Sequence, residues 1–154
     1  MRRLFATAWT IWLFDFATKA WALTSLSAEP RQIIGSLLQF TLVHNPGAAF
    51  SFATGFTIAF SLLALSVVVA VIYFAPKITS RGWQFSIALL LGGVLGNLTD
   101  RIFREPSFLS GHVIDWIQIP NFPVFNLADI AISTAAVIAF VLSVRNVPPI
   151  TRVG

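Results

Sequence analysis

Phe125-Asn126-Leu127-Ala128-Asp129 opens a run, Ile130 to Val144, that carries no further charge. An acid at the mouth of an apolar helix is expensive in a bilayer and marks a functional position. Asp129 follows Asn126 by three residues, so the two share a face once a helix begins. Just upstream, Gly111-His112-Val113-Ile114-Asp115 supplies a second acid, in a chain where only 10% of residues are charged. Two carboxylates in one site can hold a single proton between them. The ionised one then acts as a base toward water and the protonated one as an acid. The stretch therefore predicts a paired-aspartate hydrolase at a membrane surface, with Asp115 and Asp129 as its catalytic residues. The simpler role for Asp129 is to open the helix, where the macrodipole favours an acid.

Composition supports the membrane setting. The chain has 154 residues, enough for one domain, 1–154. It is 56% hydrophobic, against roughly 45–50% for soluble domains, and its mean hydropathy is +0.82. A soluble domain of this size cannot hide that much apolar surface. The net charge of +4 comes from basic residues flanking apolar runs. That is the pattern of topology signals, and no nucleic-acid partner is expected. The absence of cysteine excludes a disulfide, a thiolate nucleophile and a cysteine metal site. Five Trp and 15 Phe suit interfacial and lipid-facing anchors.

Four apolar runs, about 4–23, 56–74, 83–98 and 127–144, predict an all-α membrane protein with four transmembrane helices. The first follows Met1-Arg2-Arg3 and contains Asp15 and Lys19, four apart in the favourable order for an ion pair. Charges inside the apolar core argue for a retained helix over a cleaved signal. Leu37 to Val43 has strand-like content and ends at His44-Asn45-Pro46-Gly47-Ala48-Ala49-Phe50, where Asn-Pro and Gly mark a turn. It predicts a small β-like cradle at the outer face. Gly92-Gly93 and Gly96 in the third run let helices approach closely. That run ends at Gly96-Asn97-Leu98-Thr99-Asp100-Arg101, before an irregular loop through Pro106. Arg2, Arg3, Lys77, Arg81, Arg145 and Arg152 then fall on one side, which the positive-inside rule makes cytoplasmic, with both termini. Asp15, Glu29, Asp100, Glu105, Asp115 and Asp129 all lie in a span or outside. The polar chemistry converges on the outer face.

Other side chains admit two roles each. Asn97, Asp100 and Arg101 form either a polar clamp on a substrate backbone or a structural set, an Asp100–Arg101 ion pair with an interhelical bond from Asn97. Asp15 and Lys19 suit a structural pair, with Asp15 able to support the polar network. His44, His112, Asp115 and Asp129 lack the spacing that fixes two metal ligands on one helix, so no metal is expected. Nucleophile-elbow, phosphate-loop and dinucleotide motifs are absent from the sequence. A small ion- or proton-coupled transporter is the alternative from another class, since intramembrane acids also mark ion paths. It requires polar residues through the full depth of the bundle, and Phe56 to Phe74 offers only small hydroxyls.

Asp15 with Lys19, the His44–Phe50 motif, Gly92-Gly93 through Arg101, Gly111 to Asp115 and Phe125 to Asp129 occur in this order on four spans. Together they resemble the lipoprotein signal peptidases, or signal peptidase II, over nearly the whole chain. The resemblance implies a bacterial inner-membrane aspartyl endopeptidase that cuts prolipoproteins just before a diacylglyceryl-modified cysteine. It puts the dyad on Asp115 and Asp129 and gives supporting or substrate-binding roles to Asn45, Asn97, Asp100, Arg101 and Asn126, with Asp15 a polar support. It implies an outer-face cradle before Asn45, no metal or organic cofactor, prolipoproteins and membrane lipids as partners, and a monomer. Two features depart from the family: a longer connector, 102–111, and a shorter stretch between Asp115 and Asn126, with Trp116 where Phe is commoner.

Overall fold

A computed structural model describes residues 1–47 and 55–150. Ala48, Ala49 and Phe50 of the turn motif and Arg152 of the basic set lie outside the described residues. Four long helices, α1 (Arg2–Ser25), α2 (Gly55–Phe74), α3 (Arg81–Phe103) and α4 (Leu127–Val144), are joined by strands β1 (Arg31–Ile34), β2 (Leu38–Asn45) and β3 (Val113–Gln118). The fold is thus mostly helical, with one three-stranded sheet.

Helices α2, α3 and α4 are long and apolar enough to cross a membrane, with mean hydropathies of 2.6, 1.3 and 2.2 over their spans. At 24 residues, α1 reaches about 36 Å at 1.5 Å per residue. Arg2, Arg3, Asp15 and Lys19 lower its hydropathy below that of the other three. The expected third span, 83–98, is part of a longer helix. Asp100 and Arg104 pair one turn apart, and the Arg104 N–H still bonds the Asp100 carbonyl at 2.9 Å, so the helix runs on to Phe103. Asn97, Asp100 and Arg101 stand on the last turns of this helix, where the sequence places them.

Burial is inverted relative to a water-soluble fold. Of the largest fully buried side chains, Lys19, Ile114, Asn126, Asp15, Asp100, Asp115 and Ser61, only Ile114 is apolar. Trp9, Phe14, Leu63, Val69, Val137 and Phe140 are exposed. Such a surface is stable where the surroundings are hydrocarbon.

Helix α3 is the central element, packing against α1, α2 and α4. Glycines make this possible. A Cβ on Gly92 would sit 2.7 Å from the Ala8 carbonyl oxygen, and one on Gly93 would sit 2.5 Å from that of Ala128. Leu4, Ala8, Val68, Val71, Ala88, Leu91 and Val94 fill the space between α1, α2 and α3.

The sheet caps one end of the bundle, with antiparallel order β1-β2-β3. In the β2–β3 pair, Val43 faces Asp115 and Asn45 faces Val113, after a register shift between Phe40 and Val43. Alternate β3 residues Ile114 and Trp116 pack with Ala22, and Trp116 meets Trp21 and Phe40 edge-on, with ring centroids at 5.4 and 5.0 Å. The small hydroxyls of α2 tie down the connectors: Thr57 donates to the Pro46 carbonyl at 2.7 Å and Ser61 to that of Leu109 at 2.6 Å.

Candidate active site

Asp115 sits mid-strand because β3 is pinned at both ends. Before it, the Gly111 N–H bonds the Arg101 carbonyl at 3.1 Å and the Ile114 N–H bonds Asp100 Oδ2 at 3.2 Å. After it, Ile117 and Phe125 exchange backbone hydrogen bonds at 2.8 and 3.0 Å. This return delivers Asn126 beside Asp115.

Asn126 has extended backbone angles and caps α4. Its Oδ1 accepts from the Asp129 N–H at 3.0 Å, while Asp129 Oδ2 accepts from the Asn126 N–H at 3.2 Å. This is a capping box with Asp in the third position. Asp129 thus has the helix-opening role read from the sequence and keeps its other oxygen for the site: Oδ1 accepts from Asn97 Nδ2 at 2.8 Å.

The Asn126 side-chain amide donates to Asp115 Oδ1 at 2.6 Å and to Asn97 Oδ1 at 3.2 Å. One asparagine therefore touches both aspartates, its backbone on one and its side chain on the other. Asp115 Oδ2 accepts from Asn45 Nδ2 at 2.7 Å, and Asn45 Oδ1 takes the Gly47 N–H at 2.8 Å. Asp115 is 1% exposed, whereas Asp129 is only partly buried. Burial pushes the Asp115 carboxyl up to about 6; the nearby Asp129 charge adds to the rise, and the Asn45 and Asn126 amides oppose it.

Beneath the pair lies a buried charge cluster. The Lys19 ammonium forms ion pairs with Asp15 Oδ2 (2.7 Å) and Asp100 Oδ2 (2.8 Å) and donates to Asn97 Oδ1 (2.9 Å). Asp15 Oδ1 accepts the Ala128 N–H at 2.9 Å, fixing α1 to the start of α4. Asp100 also accepts from Arg104 Nε. The Asp100–Arg101 ion pair considered from sequence does not form. Asp100 turns toward Lys19, Arg104 and the β3 backbone and holds structure together. Arg101 lies within electrostatic range of Asp115, Asp100 and Asp129, with its guanidinium 5.9 Å from the Phe60 ring. Its Nη1 is buried and has no hydrogen-bond partner among the described residues.

Seven of the eight sequence-derived site residues, Asp15, Asn45, Asn97, Asp100, Asp115, Asn126 and Asp129, thus join one bonded network with Lys19, and Arg101 borders it. Lys19 was read only as the partner of Asp15; its link to α3 is long-range and has no local signal. Arg104 was legible, since it stands four residues after Asp100.

Two aspartates bridged by one asparagine lie inside a fold whose outer surface is hydrocarbon-like, an arrangement that suits the class of membrane-embedded aspartic proteases. The chain matches the sequence model of "Signal peptidase (SPase) II" over residues 7–145, and it belongs to that family. It is 47% identical over 146 residues to a lipoprotein signal peptidase of Leifsonia xyli subsp. xyli, covering 94% of this chain and 68% of that one. To the lipoprotein signal peptidase of Streptomyces coelicolor it is 44% identical, covering 95% and 72%. Its fold is similar to a bacterial membrane enzyme solved by the in meso method at 1.9 Å resolution, with TM-score 0.83, 26% identity and 94% of each chain covered.

Proposed function

We propose that Asp115 and Asp129 are the dyad with which this protease removes signal peptides from prolipoproteins. The observation that carries this reading is the bridge through Asn126, which holds both carboxylates in one hydrogen-bonded unit. Four carboxylates, Asp15, Asp100, Asp115 and Asp129, face three cations, Lys19, Arg101 and Arg104, so one proton shared by the dyad balances the cluster. Below a pH of about 6 Asp115, the deeply buried member, holds that proton. Asp129 carries its charge in the first turn of α4, where the macrodipole favours it.

In the reaction Asp129 takes a proton from water as the oxygen attacks the scissile carbonyl, and Asp115 passes its proton to the carbonyl oxygen. The tetrahedral adduct collapses as Asp129 gives its proton to the leaving nitrogen, the C–N bond breaks and Asp115 recovers a proton from one of the two hydroxyls, which restores the resting dyad. The unpartnered Arg101 Nη1 donates to a substrate carbonyl, one of the two roles the sequence leaves open for it. Asn45, Asn97 and Asn126 keep the dyad in place. Asp15 and Asp100 act one layer further out.

The bundle spans the cytoplasmic membrane four times and works as a monomer, with both termini in the cytoplasm and the dyad toward the outer face. Helix α1 serves as the fourth span because Asp15 and Lys19 neutralise each other inside, while Phe5, Trp9, Leu13 and Phe14 are exposed. Substrate enters from the bilayer with the diacylglyceryl group of its cysteine in lipid. A transporter would need a polar path past the dyad, where Val68, Val71, Leu91 and Val94 close the core.

The test is cleavage of a diacylglyceryl-modified precursor by wild type, Asp115→Asn and Asp129→Asn at matched folded yield. Both variants are expected to lose activity by about 10³-fold or more. Near-normal cleavage by either variant sinks the dyad.

A further inference from the structure

At the end of the bundle away from Asp115, α1 and α3 part around a cavity of about 240 Å³ lined by Arg3 and Thr7 on one side and Arg81, Gln84 and Phe85 on the other. The buried Leu4 and Ala88 complete its lining. Two helices thus each bring one arginine to a single hollow, and no acid among the described residues lines it. Neither arginine has an ion-pair partner among the described residues, whose ion pairs all converge on Asp100 or Lys19. Uncompensated cations in an interhelical hollow at the cytoplasmic membrane surface are a site for an anionic headgroup.

We propose that this cavity binds the phosphodiester of an anionic phospholipid with a hydroxylated, glycerol-type headgroup. The guanidinium forks of Arg3 and Arg81 match phosphate oxygens in bidentate geometry. Gln84 commits its Nε2 to the Ile78 carbonyl at 2.7 Å, leaving Oε1 to accept from a headgroup hydroxyl. An ammonium headgroup finds two positive charges and no acid. The acyl chains run along exposed Phe5 and Phe85, 38% and 50% exposed, which follow Arg3 by two residues and Arg81 by four. The assignment rests on the membrane-spanning reading above and not on the dyad.

Native mass spectrometry of the full-length protein in detergent, with phosphatidylglycerol and phosphatidylcholine supplied together, tests it. Wild type is expected to retain one phosphatidylglycerol in preference, and Arg3→Gln/Arg81→Gln to lose that preference by about thirtyfold. The equally charged control Arg2→Gln/Arg145→Gln is expected to keep it. Equal loss in the control would reduce the effect to general surface charge and overturn the site, as would the absence of preference in wild type. Displacement of the lipid by excess inorganic phosphate would make it a free-anion site and also overturn the proposal. The same retention by Asp115→Asn protein separates this outcome from the fate of the peptidase mechanism.

Discussion

Lys19 Nζ lies 2.9 Å from Asn97 Oδ1, across 78 residues of sequence. An ammonium can only donate, so Asn97 must accept with its oxygen and present Nδ2 to Asp129. The same logic orients Asn126, whose Oδ1 is taken by a backbone N–H, and Asn45, whose Oδ1 is taken by that of Gly47. Every amide around the dyad therefore offers hydrogens to carboxylate oxygens. The network is built to hold negative charge.

Replacing Lys19 by Met keeps the length of the side chain and removes all three donors. Asp15 is then buried without its cation and Asp100 keeps only Arg104, which destabilises by about 3–5 kcal/mol. The expected result is a lower thermal unfolding midpoint in detergent and loss of cleavage. Lys19→Met/Asp15→Asn is expected to recover part of the stability without recovering activity, because Asn97 stays unanchored. Full activity in the double variant would contradict the role of that anchor.

The raised Asp115 carboxyl sets a pH dependence. As the proton donor it must be protonated, so kcat/KM is expected to fall as pH rises through about 6. The Asn45 amide favours the charged form, so Asn45→Ala is expected to shift this limb to higher pH. Rate profiles of the two proteins on one lipidated substrate decide it; a shift to lower pH would reverse the assignment.

Stability carries the same sign. A carboxyl that binds its proton more tightly when folded than when unfolded loses stability as pH rises, from the ordinary carboxylate range up to about 6. Thermal unfolding midpoints of wild type are expected to decline across that window. Asp115→Leu, which cannot ionise, is expected to show a flatter profile.

Close helix approach depends on particular glycines. A Cβ at Gly93 meets the Ala128 carbonyl at 2.5 Å, and one at Gly96 runs into the Asp15 carboxylate. Gly93→Ala and Gly96→Ala are each expected to destabilise by about 1–3 kcal/mol, and Gly96→Ala also to reduce activity by moving Asp15 off the Ala128 N–H. Gly82→Ala, whose Cβ meets the flexible tip of Leu142 at 3.0 Å, is expected to be mild. Unfolding midpoints of the three variants give the ranking.

The long helices, the acids and their order along the chain were legible in the sequence, because apolar run length and uncompensated charge are local properties. Leu127–Val144 coincides with its expected run, and Asn126 and Asp129 share the first turn of α4 as their spacing requires. Strand β3 was not legible. Val113–Gln118 is buried on both faces and pairs with residues some 70 positions earlier; strand pairing depends on that distant partner. Nor did the sequence decide the partner of Asp100. Arg101 is its chain neighbour, but adjacent helical residues point in different directions, and packing of α1 against α3 brings Lys19 to it instead. The sequence by itself determined that this chain lives in a membrane and carries two acids, Asp115 and Asp129, close enough in sequence to share a site. Only the tertiary structure decided which donors hold each acid, because those bonds join residues far apart in sequence across a low-dielectric interior.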